Sequence, residues 1–93
     1  MITEITGKSG ITSTYKNDLL IKVEDSFGRV TLYDYNKFGL LAYITEINDD
    51  GQFVKTESFE YDNQRREIKW TDEVTLFSEE YYYEDNKQLI KTV

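Results

Sequence analysis

The sequence predicts an all-β protein: an antiparallel meander of about nine short strands joined by hairpin turns, forming a twisted sheet or a partly rolled barrel. Turn signals recur at intervals of 11 and 12 residues, marked by Gly28, Gly39 and Gly51. The segments between them are rich in Val, Ile, Thr, Tyr and Phe, residues that suit a pleated surface. Proline is absent, so every backbone N–H is free to join a ladder.

Each element follows from its boundaries. Gly7-Lys8-Ser9-Gly10 separates strand Ile2–Thr6 from Ile11–Tyr15, and Lys16-Asn17-Asp18 leads to Leu19–Glu24. The turns Asp25–Gly28, Asn36–Gly39 and Asn48–Gly51 introduce Arg29–Tyr35, Leu40–Ile47 and Gln52–Tyr61. In each, the leading Asp or Asn can accept a hydrogen bond from its own backbone two residues on. The closing Gly takes positive φ without a Cβ clash. Weaker copies at Asp62–Arg65 and Asp85–Gln88 lead to Arg66–Thr71 and Gln88–Val93. Between them, after a weak break at Asp72-Glu73, lies Val74–Glu84. There the spacing of Val74, Phe77 and Tyr81 would suit a helix, but Val74-Thr75 and Tyr81-Tyr82-Tyr83 favour a strand. Alternation places Ile68 and Trp70 on one face with charge on the other, and Phe53, Phe59 and Tyr61 together. Leu40–Ile44 is apolar on both faces, which predicts a central strand covered on both sides.

Ninety-three residues make a single domain, 1–93, with a modest core. Cysteine and histidine are absent, which removes disulfides, thiolate chemistry and the commonest general base and metal ligand. No segment approaches the ~20 apolar residues of a membrane span. Met1–Ile5 has neither a basic nor an apolar leader region, so a soluble, cytoplasmic protein is expected. The net charge of −7 is uneven: residues 47–93 carry twelve acids and six bases, against six and five in residues 1–46. Such a surface repels phosphate backbones and attracts a basic protein partner.

The run Phe27-Gly28-Arg29-Val30-Thr31-Leu32-Tyr33-Asp34-Tyr35-Asn36-Lys37-Phe38-Gly39-Leu40-Leu41 resembles the YD repeat of the bacterial RHS family, in outline G-R-V-T-x-Y-x-Y-D-x-x-G-R-L. Asn36 stands where Asp is usual and Leu40 where Arg is usual. Degraded copies cover Gly51–Asp62, with Arg65 in place of Gly, and Tyr81–Asp85. The resemblance implies successive hairpins, a bacterial or phage source and an association with toxin and antagonism systems. Large family members build shells, which a chain with so few hairpins cannot do.

Paired carboxylates occur at Asp49-Asp50, Glu79-Glu80 and Glu84-Asp85. Neighbours in a strand face opposite ways, so Glu79 and Glu80 do not face one substrate, and the pairs read as solvated surface charge. Asp49-Asp50-Gly51 and Asp62-Asn63 lack the spacing of a calcium loop. No catalytic, cofactor or metal residue is nominated. The expected function is a non-enzymatic acidic protein-binding module, of the inhibitor or immunity type, that engages a basic surface. Its candidate residues are Trp70, Asp72, Glu73, Glu79, Glu80, Tyr81, Tyr82, Tyr83, Glu84 and Asp85. Tyrosines supply rigid contact area there and acids steer the partner. The alternative is a carbohydrate-binding module using Trp70. The edge strands Ile2–Thr6 and Gln88–Val93 carry few charges, which suits a homodimer by edge pairing.

Overall fold

In the computed structural model, which describes residues 1–92, the nine strands form one open antiparallel sheet whose spatial order is the chain order. They are β1 (Ile2–Thr6), β2 (Thr12–Lys16), β3 (Leu19–Glu24), β4 (Val30–Tyr35), β5 (Leu41–Ile47), β6 (Phe53–Tyr61), β7 (Glu67–Asp72), β8 (Ser78–Glu84) and β9 (Lys87–Thr92). Every described strand contacts only its sequence neighbours, so the sheet is a single layer with edges at β1 and β9. It is not rolled into a barrel. Among the described residues there is no helix, and so none long and apolar enough to cross a membrane. Val93, the expected end of the last strand, lies outside the described residues.

The turns share one construction. Asp25 Oδ1 accepts the backbone N–H groups of Phe27 and Arg29, at 2.9 and 3.0 Å. Asn36 does the same for Phe38 and Leu40, Asn48 for Asp50 and Gln52, and Asp62 for Gln64 and Arg66. The residue three places on closes each turn with its N–H and sits at positive φ: 88° at Gly28, 78° at Gly39, 81° at Gly51 and 65° at Arg65. The turn geometry therefore survives where the glycine is lost. Asp85-Asn86 is a different turn: both residues have positive φ (51° and 63°) and Glu84 pairs directly with Lys87.

No described side chain is fully buried, hydrophobic or polar. This overturns the expectation that Leu40–Ile44 is covered on both sides. β5 is central in the sheet, but its Tyr43 is 49% exposed. Its apolar run has another cause. Tyr35 pairs with Leu41 while Asp34 pairs with Tyr43, so Ala42 is an extra residue. Such a bulge sets two consecutive side chains on one face. Equivalent extra residues are Ile21 in β3, Val54 in β6 and Ile68 in β7. The bulge at Val54 also turns Phe53 opposite Ile47, away from the face that holds Phe59 and Tyr61. Val74–Phe77 belongs to the Asp72–Phe77 turn, closed by the Asp72 N–H on the Phe77 carbonyl, and not to β8.

Following the pairing from strand to strand gives two distinct faces. One, the aromatic face, carries Ile5, Tyr15, Val23, Tyr33, Tyr35, Ile44, Phe59, Tyr61, Trp70, Tyr81 and Tyr83. The other carries mainly Thr, Ser, Lys and Glu, with Tyr43 and Tyr82 among them.

Candidate functional site

A tyrosine clasp recurs on the aromatic face. β3 and β4 pair only over Lys22–Glu24 and Val30–Leu32, then part; there the Tyr35 hydroxyl donates to the Leu20 carbonyl at 2.6 Å. β5 and β6 part beyond Tyr43, and the Tyr61 hydroxyl donates to the Leu41 carbonyl at 2.7 Å. β7 and β8 part beyond Lys69, and the Tyr83 hydroxyl donates to the Glu67 carbonyl at 2.6 Å. Each clasp satisfies a carbonyl that the ladder no longer reaches. Burial raises the hydroxyl pKa of both Tyr35 and Tyr61, with Tyr33 and Glu67 respectively adding to it.

The ten nominated residues do not form one surface. Trp70, Glu79, Tyr81 and Tyr83 lie on the aromatic face, whereas Glu80, Tyr82 and Glu84 lie on the opposite one. Asp85 stands in the turn at the far end of β8. Asp72 is committed to its turn: its Oδ1 accepts from the N–H groups of Val74 and Thr75, and these bonds hold its pKa down. Glu73 accepts the Ser58 hydroxyl at 2.6 Å. Tyr83 is fixed on both sides, with the Arg66 guanidinium 4.3 Å from its ring centroid and Gln88 donating to its oxygen.

The register also separates the charges. On the opposite face, Glu60, Lys69, Glu80 and Lys91 stand in a row across β6 to β9, with Glu84 opposite Lys87. These three acids are matched by three lysines, Lys69, Lys87 and Lys91. The aromatic face of β6 to β9 carries Glu57, Glu67, Asp72 and Glu79 against Lys55, whose ammonium is 2.7 Å from Glu57, and Arg66, which lies over the Tyr83 ring and is paired with Asp62. Its centre is the row Phe59, Trp70, Glu79, directly opposite one another on β6, β7 and β8. Phe77 packs edge-on to Trp70, with ring centroids 6.0 Å apart. The Tyr81 hydroxyl donates to Glu79 Oε2 at 3.1 Å; burial and that carboxylate push its pKa up to about 12.

Glu67 was not nominated. Alternation puts it away from Trp70, but the bulge at Ile68 brings it opposite Tyr61, onto the aromatic face. Burial, reinforced by the Glu79 charge, raises its carboxyl pKa. No residue type or spacing marks the bulge, so only the pairing reveals it. Glu57 and Phe59 were missed for a simpler reason: their strand lies before the acidic segment that drew the nomination.

This face offers aromatic area with an excess of carboxylates. Asp49 and Asp50 sit in the Asn48 turn, and Asp62 is spent on its own turn and on Arg66 Nε at 3.0 Å. Among the described residues, no three acidic side chains converge as the ligands of a metal ion would. No protein-family model and no curated protein matches this chain.

Proposed function

We propose that this chain is a non-enzymatic protein-binding module, of the inhibitor or immunity type, that engages a basic partner through the aromatic face of β6 to β8. The observation that carries the reading is the charge segregation. One face of the C-terminal strands balances its acids with lysines; the other sets Glu57, Glu67, Asp72 and Glu79 among Phe59, Tyr61, Trp70 and Tyr81. Aromatic side chains supply contact area at small entropic cost, and unbalanced carboxylates steer a cationic surface and reject an anionic one. The hairpin resemblance to YD repeats adds the bacterial or phage setting, where small acidic antagonists of basic effectors occur. The edge-on packing of Phe77 occupies part of the Trp70 ring, which favours a protein partner over a stacked sugar.

The test is a binding panel of basic effector domains and nucleases, measured by interferometry against wild type, Glu79→Lys and Glu80→Lys. Both substitutions change the net charge equally, but only Glu79 lies on the proposed face. Reversing Glu79 is expected to weaken a true partner at least ~10-fold, largely through the association rate, with Glu80→Lys near wild type. No binder in the panel, or equal loss from both variants, would refute the reading.

A further inference from the structure

We propose that two copies of this chain join through β1, pairing antiparallel about a two-fold axis normal to the sheet. The backbone geometry supplies the seam. The Asn17 N–H donates to the Met1 carbonyl at 3.1 Å and the Gly7 N–H donates to the Ile11 carbonyl at 2.9 Å. Hydrogen-bonded pairs alternate along an antiparallel ladder, so Met1, Thr3, Ile5 and Gly7 direct their polar groups into the sheet. Ile2, Glu4 and Thr6 therefore direct theirs outward, a row of donors and acceptors along the open edge.

Glu4 is the one charged side chain that protects this edge. Natural sheets guard their edges with lysine, proline, a bulge or a very short strand. β1 has no lysine and no proline, and its register with β2 is uninterrupted over all five residues. All five are exposed, with Ile2 at 66% and Ile5 at 56%. The other edge is guarded: β9 carries Lys87 and Lys91. Charge also selects β1. Residues 1–24 hold three acids and three bases, so the whole net charge of −7 lies beyond them. Two copies meeting at β1 bring neutral ends together, whereas any contact near β6 to β9 brings like charge together.

The two-fold axis has a structural consequence. Corresponding faces of the two copies lie on the same side, so Ile5, Tyr15, Leu20 and Val23 of both extend one uncharged apolar strip. The acidic aromatic surfaces then stand at opposite ends of an 18-stranded sheet, twice the nine of one chain. Both stay accessible, which makes the dimer bivalent.

The outward N–H of Glu4 allows a clean test. Glu4→Pro deletes that donor without touching the β1–β2 ladder. Sedimentation equilibrium of the full chain is expected to give a dimer for wild type. For Glu4→Pro it is expected to give half that mass, 11.0 kDa, with an unchanged circular dichroism spectrum. Should proline disturb the fold, Ile2→Lys with Glu4→Lys places like charges across the seam and is expected to yield the same monomer. A wild-type monomer at all concentrations overturns the proposal, as does a dimer that survives in a folded variant. Open-ended oligomers also overturn it, because they require the guarded edge β9 to pair as well. The partner-binding panel is independent of all these outcomes.

Discussion

Removing the three clasp hydroxyls tests whether this single-layer sheet is held by its tyrosines. The perturbation is Tyr→Phe at Tyr35, Tyr61 and Tyr83, singly and together. Each change removes a hydroxyl and retains the ring, so the packing on the aromatic face stays. Each deletes a hydrogen bond to a carbonyl at 2.6 to 2.7 Å, where the flanking ladder has ended, and Tyr83→Phe also removes the acceptor of the exposed Gln88 amide. A neutral hydrogen bond of this kind contributes ~1 kcal/mol net. The three lie on different hairpins and share no partner, so their losses should add to ~3 kcal/mol. That is a large share of the ~5–14 kcal/mol expected for a chain of this length.

Urea unfolding followed by circular dichroism is the assay. Each single variant should lower the midpoint by ~0.3–1 M with an unchanged slope. Tyr43→Phe, on the opposite face and 49% exposed, is the control, expected within ~0.5 kcal/mol of wild type. Alkali offers an independent check. Tyr35, Tyr61 and Tyr81 all have folded pKa values above 10.0, that of Tyr81 reaching about 12. The fold favours their protonated forms, so their contribution is complete below pH 10 and is lost as pH rises toward 12. A triple variant as stable as wild type, with the same alkaline transition, would refute the clasp argument.

Three further outcomes are expected. Gly39→Ala should destabilise by ~1 kcal/mol or more and Arg65→Gly should stabilise by ~0.5–1 kcal/mol. Gly39 has no atom within 4 Å of an added Cβ, so its thermal shift would report backbone strain alone. Acid should loosen the Asp turns and spare the Asn turns. The pKa of Asp62 is lowered by the Arg66 backbone N–H first and its guanidinium after; at Asp25 desolvation opposes, and the Arg29 and Phe27 N–H groups with the Arg29 guanidinium overcome it, so its pKa is lowered too. Their contribution is therefore present above pH 3.8 and lost as pH falls through the folded values, so amide exchange at Phe27, Arg29, Gln64 and Arg66 should rise in acid below pH 3.8 while Phe38 and Leu40 stay protected. Glu67→Gln should raise the thermal midpoint at pH 7, because burial disfavours the Glu67 carboxylate, and should weaken a basic partner at the same time.

The turns were legible because their chemistry is local. An Asx residue and a positive-φ position three residues later specify the same geometry at Asp25, Asn36, Asn48 and Asp62, and Gly, Asn and Asp marked the other hairpin turns, all but the six-residue turn at Asp72–Phe77. That turn was hidden because Val74, Leu76 and Phe77 are apolar residues in a loop, with Leu76 at φ 64°. The faces were less legible. Period-two alternation holds only while the register holds, and four bulges each reverse it once. The residues they add, Ile21, Ala42, Val54 and Ile68, are apolar; the first three read in the sequence as part of a hydrophobic run, whereas Ile68, between Glu67 and Lys69, leaves no mark. The same effect governs the candidate site. A contiguous acidic stretch looks like one surface, yet adjacent strand residues point apart, and the partner strands decide which acids are neutralised. Glu80 meets Lys69 and Lys91, whereas Glu79 meets Trp70. The unbalanced charge that a partner would feel is therefore set by pairing between strands, and Glu67, placed by a bulge beside Tyr61, belongs to it as much as any residue of the acidic stretch.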